Sequence, residues 1–283
     1  MSVLQSEIRQ QPQVLMTLLD REMENARRIA ADLCRRSVQY VIIAARGTSD
    51  NAARYGQYLF GAYNRLPVGL ATPSLFTIYG EPPRLDGSLV VGVSQSGQSP
   101  DIVAVLEEGQ RQGVPTLAIT NCADSPLAAH ADYRLSLHAG EERAVAATKT
   151  YTAQLVALAL LSCALKEDEE RLAALQRVPR AVGRVLDREE WIAKAVERYR
   201  YMQTCVVLGR GYNYATAFEI ALKLKELNQL LAESYSSADF MHGPIAVVGS
   251  GFPALVVAPS GRMFDTMRDF SLELKARGAE LII

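Results

Sequence analysis

Cysteine is scarce in this sequence, and the four that occur do not cluster. Cys34, Cys122, Cys163 and Cys205 are at least 41 residues apart, with no CxxC pair and no Cys/His spacing typical of zinc. This pattern argues against a disulfide framework and a structural metal. We interpret the four as small apolar residues in a reducing compartment, and we expect a cytoplasmic protein with no metal and no cofactor.

Long apolar segments and an excess of one charge are also missing. The longest apolar stretch, Ala153–Leu165, is shorter than the ~20 residues that cross a bilayer, so we predict a buried core helix. The polar stretch Ser2–Gln13 has no apolar region of a secretory signal. Lys plus Arg number 30 and Asp plus Glu number 31, a net charge of −1. Without a basic excess, we expect neither nucleic acid nor a membrane as a partner.

What the sequence does contain is a repeated order of strand, glycine turn and helix. After a helical arm at residues 1–36, a β-branched run at Val38–Ala45 ends in a glycine turn, and helical spacing resumes at Asn51–Tyr63. The order returns in three segments: strand Ser88–Val93, helix Asp101–Gln112 and strand Pro115–Thr120. Fully apolar strands separated by helices indicate a parallel sheet covered on both faces.

A second copy of this order follows further along the chain. Its predicted elements are strand Thr204–Leu208, helix Tyr214–Asn228, strand Phe252–Ala258, helix Met263–Arg277 and strand Ala279–Ile283. We predict an α/β protein of two related lobes, each a parallel sheet flanked by helices in three layers, flavodoxin-like. The expected segments are an arm at 1–36, a first lobe at 37–165, a helical connector at 166–199 and a second lobe at 200–283. We expect the second lobe to lack its C-terminal tail.

Hydroxyl and amide side chains are concentrated in one turn, Ser94-Gln95-Ser96-Gly97-Gln98-Ser99. It lies between a buried strand and a helix, with Ser99 suited to the N-cap and Pro100 to the first helical position. Free N–H groups at the helix start attract an anion, and hydroxyls add donors without charge, which favours a phosphate monoester. No GKS or GKT follows, which argues against a P-loop. A capping turn without a ligand is the alternative.

Three charged residues share one face of the helix predicted at Tyr214–Asn228. Glu219, Lys223 and Glu226 are spaced i, i+4 and i+7, and the helix follows the turn Gly209-Arg210-Gly211 at the ligand edge of its sheet. A carboxylate at that edge could move protons between sugar carbons. A helix-stabilising ion pair on a solvated face is the alternative.

Two further turns carry candidate groups. Gly47-Thr48-Ser49 follows the first strand at the edge where open parallel sheets bind ligands. His242 precedes Gly243-Pro244, a turn that exposes it. Because imidazole titrates near neutral pH, His242 is a candidate general acid–base group, with a structural role as the alternative.

Five motifs, in their order and spacing, resemble the isomerase half of the glucosamine-6-phosphate synthase family, which has two sugar isomerase (SIS) lobes. The motifs are Arg46-Gly47-Thr48-Ser49, Ser94 to Ser99, Ala147-Thr148-Lys149, Lys223-Leu224-Lys225-Glu226 and His242-Gly243-Pro244. The resemblance implies a sugar phosphate held by Thr48, Ser49, Ser94, Gln95, Ser96 and Ser99, with Gly47 and Ala147 beside it. It also implies that Glu226 shuttles a proton between C1 and C2, assisted by Lys223. His242 would help to open the sugar ring from the partner subunit of a homodimer.

The chain departs from the family pattern at three points. Ser2 follows Met1 where the family has a glutamine-hydrolysing domain, Ala147 replaces a serine near the sugar, and no counterpart of the tail lysine precedes Ile283. We therefore expect a synthase-like glucosamine-6-phosphate deaminase, which forms fructose 6-phosphate and ammonia. The alternatives are a fructosamine-6-phosphate deglycase or another phosphosugar isomerase, and a sugar-phosphate sensor without turnover.

Overall fold

The computed structural model describes residues 2–283, which divide into two compact units between Arg188 and Glu189. This division falls inside the predicted connector. Each unit contains one all-parallel sheet with helices, so the predicted α/β class is confirmed.

The first unit contains a five-stranded sheet. Its helices are α1 (Val3–Arg35), α2 (Thr48–Leu59), α3 (Ser74–Thr77), α4 (Pro100–Arg111), α5 (Pro126–Ala129), α6 (Lys149–Leu165), α7 (Glu169–Leu175) and α8 (Val178–Leu186). Its strands are β1 (Tyr40–Ala44), β2 (Val68–Leu70), β3 (Ser88–Ser94), β4 (Thr116–Thr120) and β5 (Tyr133–Ser136). The strand order β2-β1-β3-β4-β5 is the flavodoxin-like order, in agreement with the predicted flavodoxin-like fold.

The central strands of this sheet are buried on both faces. Val91 and Leu117 belong to the apolar cluster that contains α1, α2 and α6, whereas Val90 and Ala118 belong to the cluster that contains α4. Successive side chains of a strand point to opposite faces, so a sheet covered on both sides needs an uninterrupted apolar sequence. This requirement explains why β3 is recognisable in the sequence.

Two long helices cover one face of the sheet. The apolar side of α1 packs on α6, and most side chains of α6 are buried. The core helix predicted from the apolar stretch Ala153–Leu165 is therefore confirmed. None of the helices within residues 2–283 is both long and apolar enough to cross a membrane.

The helix predicted at Asn51–Tyr63 differs from the structure at both ends. It begins at Thr48, because Gly47, with a φ of 55°, takes the N-cap position. It gives way to a π-helical turn at Phe60–Asn64. Thr48 and Ser49 therefore belong to the first helical turn and not to a loop.

The second unit has a four-stranded sheet. Its helices are α9 (Glu189–Val196), α10 (Tyr212–Asn228), α11 (Ser237–Met241) and α12 (Phe264–Ala276), and its strands are β6 (Thr204–Gly209), β7 (Leu231–Ser236), β8 (Pro253–Val256) and β9 (Glu280–Ile282). The order β7-β6-β8-β9 repeats that of the first four strands of the other sheet. The prediction of two related lobes is confirmed, whereas β2, β5 and β7 were not predicted. All three are edge strands, which are less apolar than the central strands because they are less buried.

Candidate functional site

The carboxyl ends of β1 and β3 lie side by side at one edge of the first sheet. The two strands are paired in register, with Ala44 opposite Gly92. The chain leaves β1 toward one side of the sheet and β3 toward the other, which makes this strand pair a topological switch point. Open parallel sheets bind ligands at such a switch point. The turn Ser94–Ser99 and the turn before α2 both lie there.

The turn after β3 is held in shape by its own hydroxyl groups. The backbone N–H of Gly97 donates to Oγ of Ser94 at 3.1 Å, and that of Gln98 donates to Oγ of Ser96 at 3.3 Å. Gly97 has a φ of +63°, and a Cβ at this position would lie 2.2 Å from Oγ of Ser125. Only glycine fits, because the neighbouring loop lies directly against the backbone.

Several donors of this turn remain available to a ligand. Ser99 is the N-cap of α4 and Pro100 its first residue, as predicted, but the Ser99 hydroxyl makes no capping bond. Within residues 2–283, the side-chain amide of Gln95 and the backbone N–H groups of Ser99 and Asp101 make no hydrogen bond. Such donors at a helix N-terminus favour a bound anion.

Ser49 has a more internal position than predicted. It is buried in α2, and its Oγ accepts a hydrogen bond from Nε2 of Gln154 on α6 at 2.9 Å. Because the Gln154 amide is the donor in this bond, the hydroxyl proton of Ser49 remains for another acceptor. Its role as a phosphate ligand stays a prediction. Gln154 could have been identified from the sequence as a residue of interest, because it is the amide within the apolar stretch Ala153–Leu165.

The segment that carries Ala147 is held by a carboxylate. Ala147 is half-buried and precedes α6. Oε1 of Glu142 accepts the backbone N–H of Thr148 at 2.8 Å and that of Thr150 at 3.4 Å. A carboxylate at this position satisfies the free N–H groups of the helix and interacts favourably with its dipole. Glu142 therefore fixes the backbone beside Ala147.

The arm helix α1 also holds this segment. The buried carboxylate of Glu7 accepts the N–H groups of Arg143 and Ala144 at 2.6 and 3.1 Å. The buried ammonium of Lys149 donates to the side chain of Gln10 at 2.8 Å. These partners are more than 130 residues apart, so sequence spacing could not have identified them.

An ion pair joins the turns that follow β1 and β3. Nη2 of Arg46 lies 2.6 Å from Oδ2 of Asp101, and the hydroxyl of Thr77 donates to Oδ1 at 3.2 Å. The hydrogen bond from Arg46 lowers the pKa of Asp101, assisted by the one from Thr77 and by the guanidinium charge. Asp101 is not among the site residues predicted from the sequence.

In the second unit, the predicted shared face of Glu219, Lys223 and Glu226 is confirmed. Nζ of Lys223 lies 2.6 Å from Oε2 of Glu226 and 3.4 Å from Oε1 of Glu219. Glu219 is buried, whereas the side chain of Glu226 is one-third exposed. The lysine therefore stands between an internal carboxylate and one that can reach a ligand.

The position argued for Glu226 from sequence is wrong. Glu226 lies in the last turn of α10, fourteen residues after Tyr212, a rise of about 21 Å along the helix. The helix α10 leads from the carboxyl end of β6 back to the start of β7. Glu226 therefore lies near the amino ends of the strands, whereas the turn at Gly209–Gly211 lies at their carboxyl ends. Its catalytic role therefore rests on the family resemblance and not on nearness to that turn.

His242 lies at the other end of β7. It follows α11 as its C-cap residue, is exposed, and its imidazole makes no hydrogen bond within the described part of the chain. The six residues of β7 span about 20 Å; Glu226 precedes the start of this strand, and His242 follows its end. The other two imidazoles each meet a carboxylate: His138 pairs with Glu22 at 2.7 Å and His130 with Glu107 at 3.1 Å.

No group of three or more His, Cys, Asp or Glu residues within residues 2–283 is arranged to hold a metal ion. The site groups are instead neutral donors at a helix start in the first unit and a lysine–carboxylate pair in the second. The first unit is thus a doubly wound α/β unit with uncharged hydrogen-bond donors at its switch point, where proteins of this class bind ligands.

Comparison with known proteins identifies the family. The SIS domain model matches residues 36–164 and 202–283, and the chain belongs to this family. It is 35% identical over 288 residues to a glutamine–fructose-6-phosphate aminotransferase (isomerizing) of Thermus thermophilus, a match that covers 98% of this chain and 48% of the relative. The chain thus spans about half the length of the curated relatives it matches, corresponding to their isomerase half.

Solved structures agree with this assignment. A Silicibacter pomeroyi DSS-3 protein, provisionally described as a phosphosugar isomerase, superimposes with a TM-score of 0.93 at 36% identity, covering 99% of this chain and 85% of that one. The C-terminal domain of glucosamine-fructose-6-phosphate aminotransferase from Francisella tularensis gives a TM-score of 0.89 at 29% identity, covering 99% and 82%. The predicted SIS fold is therefore confirmed.

Proposed function

We propose that this protein is a phosphosugar isomerase of the SIS family that deaminates glucosamine 6-phosphate to fructose 6-phosphate and ammonia. The observation that carries the proposal is the turn Ser94–Ser99, a rigid set of uncharged donors at a switch point in a chain of the SIS family. The phosphate binds there, with Thr48 and Ser49 beside it.

Glu226 supplies the proton transfer. Its carboxylate removes the proton from C2 of the open-chain aminosugar and returns it to C1, which converts the 2-amino aldehyde into the 2-imine of the ketose. Water then adds to the imine carbon, and ammonia leaves. The Lys223 ammonium, 2.6 Å from Glu226, orients this carboxylate and stabilises the negative charge of the enediol-like intermediate.

The separation of Glu226 and His242 supports a homodimeric active site. A carboxylate acting on C2 and an imidazole acting on the ring oxygen must both lie within hydrogen-bond reach of one sugar. Within one chain, β7 is about 20 Å long and runs between the end of α10 that carries Glu226 and the α11 segment that precedes His242. His242 therefore acts on the sugar bound to a second copy of the chain.

Ammonia release from glucosamine 6-phosphate tests the reaction. We expect release by the wild type, loss by Glu226→Gln with sugar-phosphate binding retained, and no change in Glu273→Gln, which makes the same chemical substitution at an exposed ion pair with Arg277. Turnover of fructosamine 6-phosphate alone would move the assignment to a deglycase. Binding without turnover of either compound would favour a sensor.

Mixing two inactive variants tests the shared site. In an equimolar mixture of Glu226→Gln and His242→Ala chains, half of the dimers are mixed, and each mixed dimer has one intact site. We therefore expect recovery of about a quarter of wild-type activity. No recovery after exchange of subunits, verified with differently tagged chains, would place both residues in the same chain's site.

A further inference from the structure

A phosphate monoester bound at the turn Ser94–Ser99 would bring a negative charge that the neutral donors of this turn do not balance. A phosphate monoester carries about −1.5 to −2 at pH 7. Hydroxyls and backbone N–H groups supply partial charges only, and the first turn of α4 adds a carboxylate, Asp101, at the same helix start. An acidic group at this position opposes the binding of a dianion unless a cation compensates for it.

Arg46 is the cation that the structure places there. It is the residue after Ala45 in the turn that follows β1, and its Nη2 lies 2.6 Å from Asp101. Both oxygens of Asp101 are engaged, because Thr77 donates to the other one. The carboxylate is therefore held from two sides, and it in turn fixes the guanidinium at the switch point.

The guanidinium retains unused hydrogen-bonding capacity. A guanidinium has five N–H donors in a planar fork, and within residues 2–283 the bond to Asp101 is the one that Arg46 makes. Its side chain is half exposed, so the guanidinium is open to solvent on part of its surface. This fork matches the geometry of a phosphate group better than a lysine ammonium does.

We propose that Arg46 is a specificity-determining residue that selects a doubly charged phosphate ester at the turn Ser94–Ser99. In the empty site it neutralises Asp101; in the filled site, still held by Asp101, it donates to a phosphate oxygen. The inference rests on the proposed function for the class of ligand, a sugar 6-phosphate, and not on which reaction follows binding.

Calorimetric titration with two ligands of different charge, in chains that also carry Glu226→Gln so that the ligand is bound but not turned over, tests this role. Glucosamine 6-phosphate is dianionic near pH 7.5, above its second phosphate pKa of about 6, whereas glucosamine 6-sulfate is a monoanionic ester of similar shape. We expect the chain that keeps Arg46 to prefer the phosphate ester by about tenfold or more, and Arg46→Met to lose about ten- to hundredfold in phosphate affinity with little change for the sulfate.

A second variant separates direct contact from charge screening. If Arg46 only screens Asp101, then Arg46→Met combined with Asp101→Asn restores the affinity of the chain that keeps Arg46. Direct contact predicts that the double variant stays at least about tenfold weaker. The control is Arg111→Met, which breaks an ion pair with Glu108 at the other end of α4 and is expected to leave both affinities unchanged.

The outcomes distinguish this inference from the proposed function. Retained preference for phosphate in Arg46→Met, or restored affinity in the double variant, overturns the role of Arg46 even if ammonia is released. Binding that depends on Arg46 without ammonia release overturns the deaminase assignment and leaves the inference standing. A wild type that binds neither ester overturns both.

Discussion

Gly97→Ala is the substitution that most directly tests the geometry of the turn after β3. The new methyl group would lie 2.2 Å from Oγ and 2.5 Å from Cβ of Ser125, at a residue with φ of +63°. The left-handed conformation alone costs an L-residue about 1–2 kcal/mol. Displacing Ser125 also weakens the N-cap of α5, where its Oγ accepts the N–H of Ala128 and which contributes about 1 kcal/mol. We therefore expect a loss of about 2–4 kcal/mol in the free energy of unfolding.

Gly140→Ala is the matched control. Gly140 has the same φ of +63°, but a Cβ there meets nothing within 4 Å, so only the conformational cost of about 1–2 kcal/mol remains. Urea unfolding followed by circular dichroism measures both variants, and titration with glucosamine 6-phosphate measures binding. We expect weakened binding in Gly97→Ala alone. Equal destabilisation of the two variants, with binding intact in both, would refute the close approach of the two loops.

Three further predictions concern stability and titration. Glu142→Gln should lower the free energy of unfolding by about 1–2 kcal/mol, because a carboxylate that binds the free N–H groups of α6 is lost. The control Glu141→Gln, at an exposed residue, should change it by less than about 0.5 kcal/mol. Similar urea unfolding curves for the two variants would contradict this prediction. Burial raises the pKa of the Cys163 and Cys205 thiols to about 11. A thiol reagent at pH 8 should therefore label two cysteines in the folded protein and four in urea. Rapid labelling of a third cysteine in the folded protein would contradict the burial of these two thiols. Burial, with a hydrogen bond to an Asp32 carboxylate, raises the pKa of Tyr133 from 10.0 to about 12, so its contribution to stability is complete below pH 10 and is lost as the pH rises to about 12. Tyr133→Phe should lose less stability over this interval than the wild type, and an equal loss would contradict the shift.

The sheet strands buried on both faces could be predicted, whereas three of the four edge strands could not, β9 being the exception. β1, β3 and β4 require unbroken apolar sequences, which left a local signal. β5 and β7 have one sheet neighbour and tolerate polar residues, and β2 is only three residues long with a central glycine, so none of the three left a clear strand pattern. The helix α2 was placed too late because its N-cap is a glycine in a left-handed conformation and not a hydroxyl residue.

The candidate site was predictable where it is contiguous in sequence. The turn Ser94–Ser99 carries its donors, its glycine and its helix start within a few residues, so local chemistry identified it. The position of Glu226 was misjudged because the helix that carries it is long enough to reach the opposite edge of its sheet. Helix length is a local property. Which ends of the strands the last helical turn lies beside depends on how the helix packs against the sheet.

The sequence by itself determined the two repeated α/β lobes, the donor-rich turn and the lysine–carboxylate face, because each depends on periodicity or on neighbours a few residues apart. Only the tertiary structure decided that Gln154 orients Ser49 and that Glu7 holds the segment before α6. The same is true of the ion pair by which Asp101 fixes Arg46, and of the position of β7 between Glu226 and His242. These relations join groups that become neighbours, or become separated, only when strands pair and helices pack. No local pattern in the chain encodes those distances.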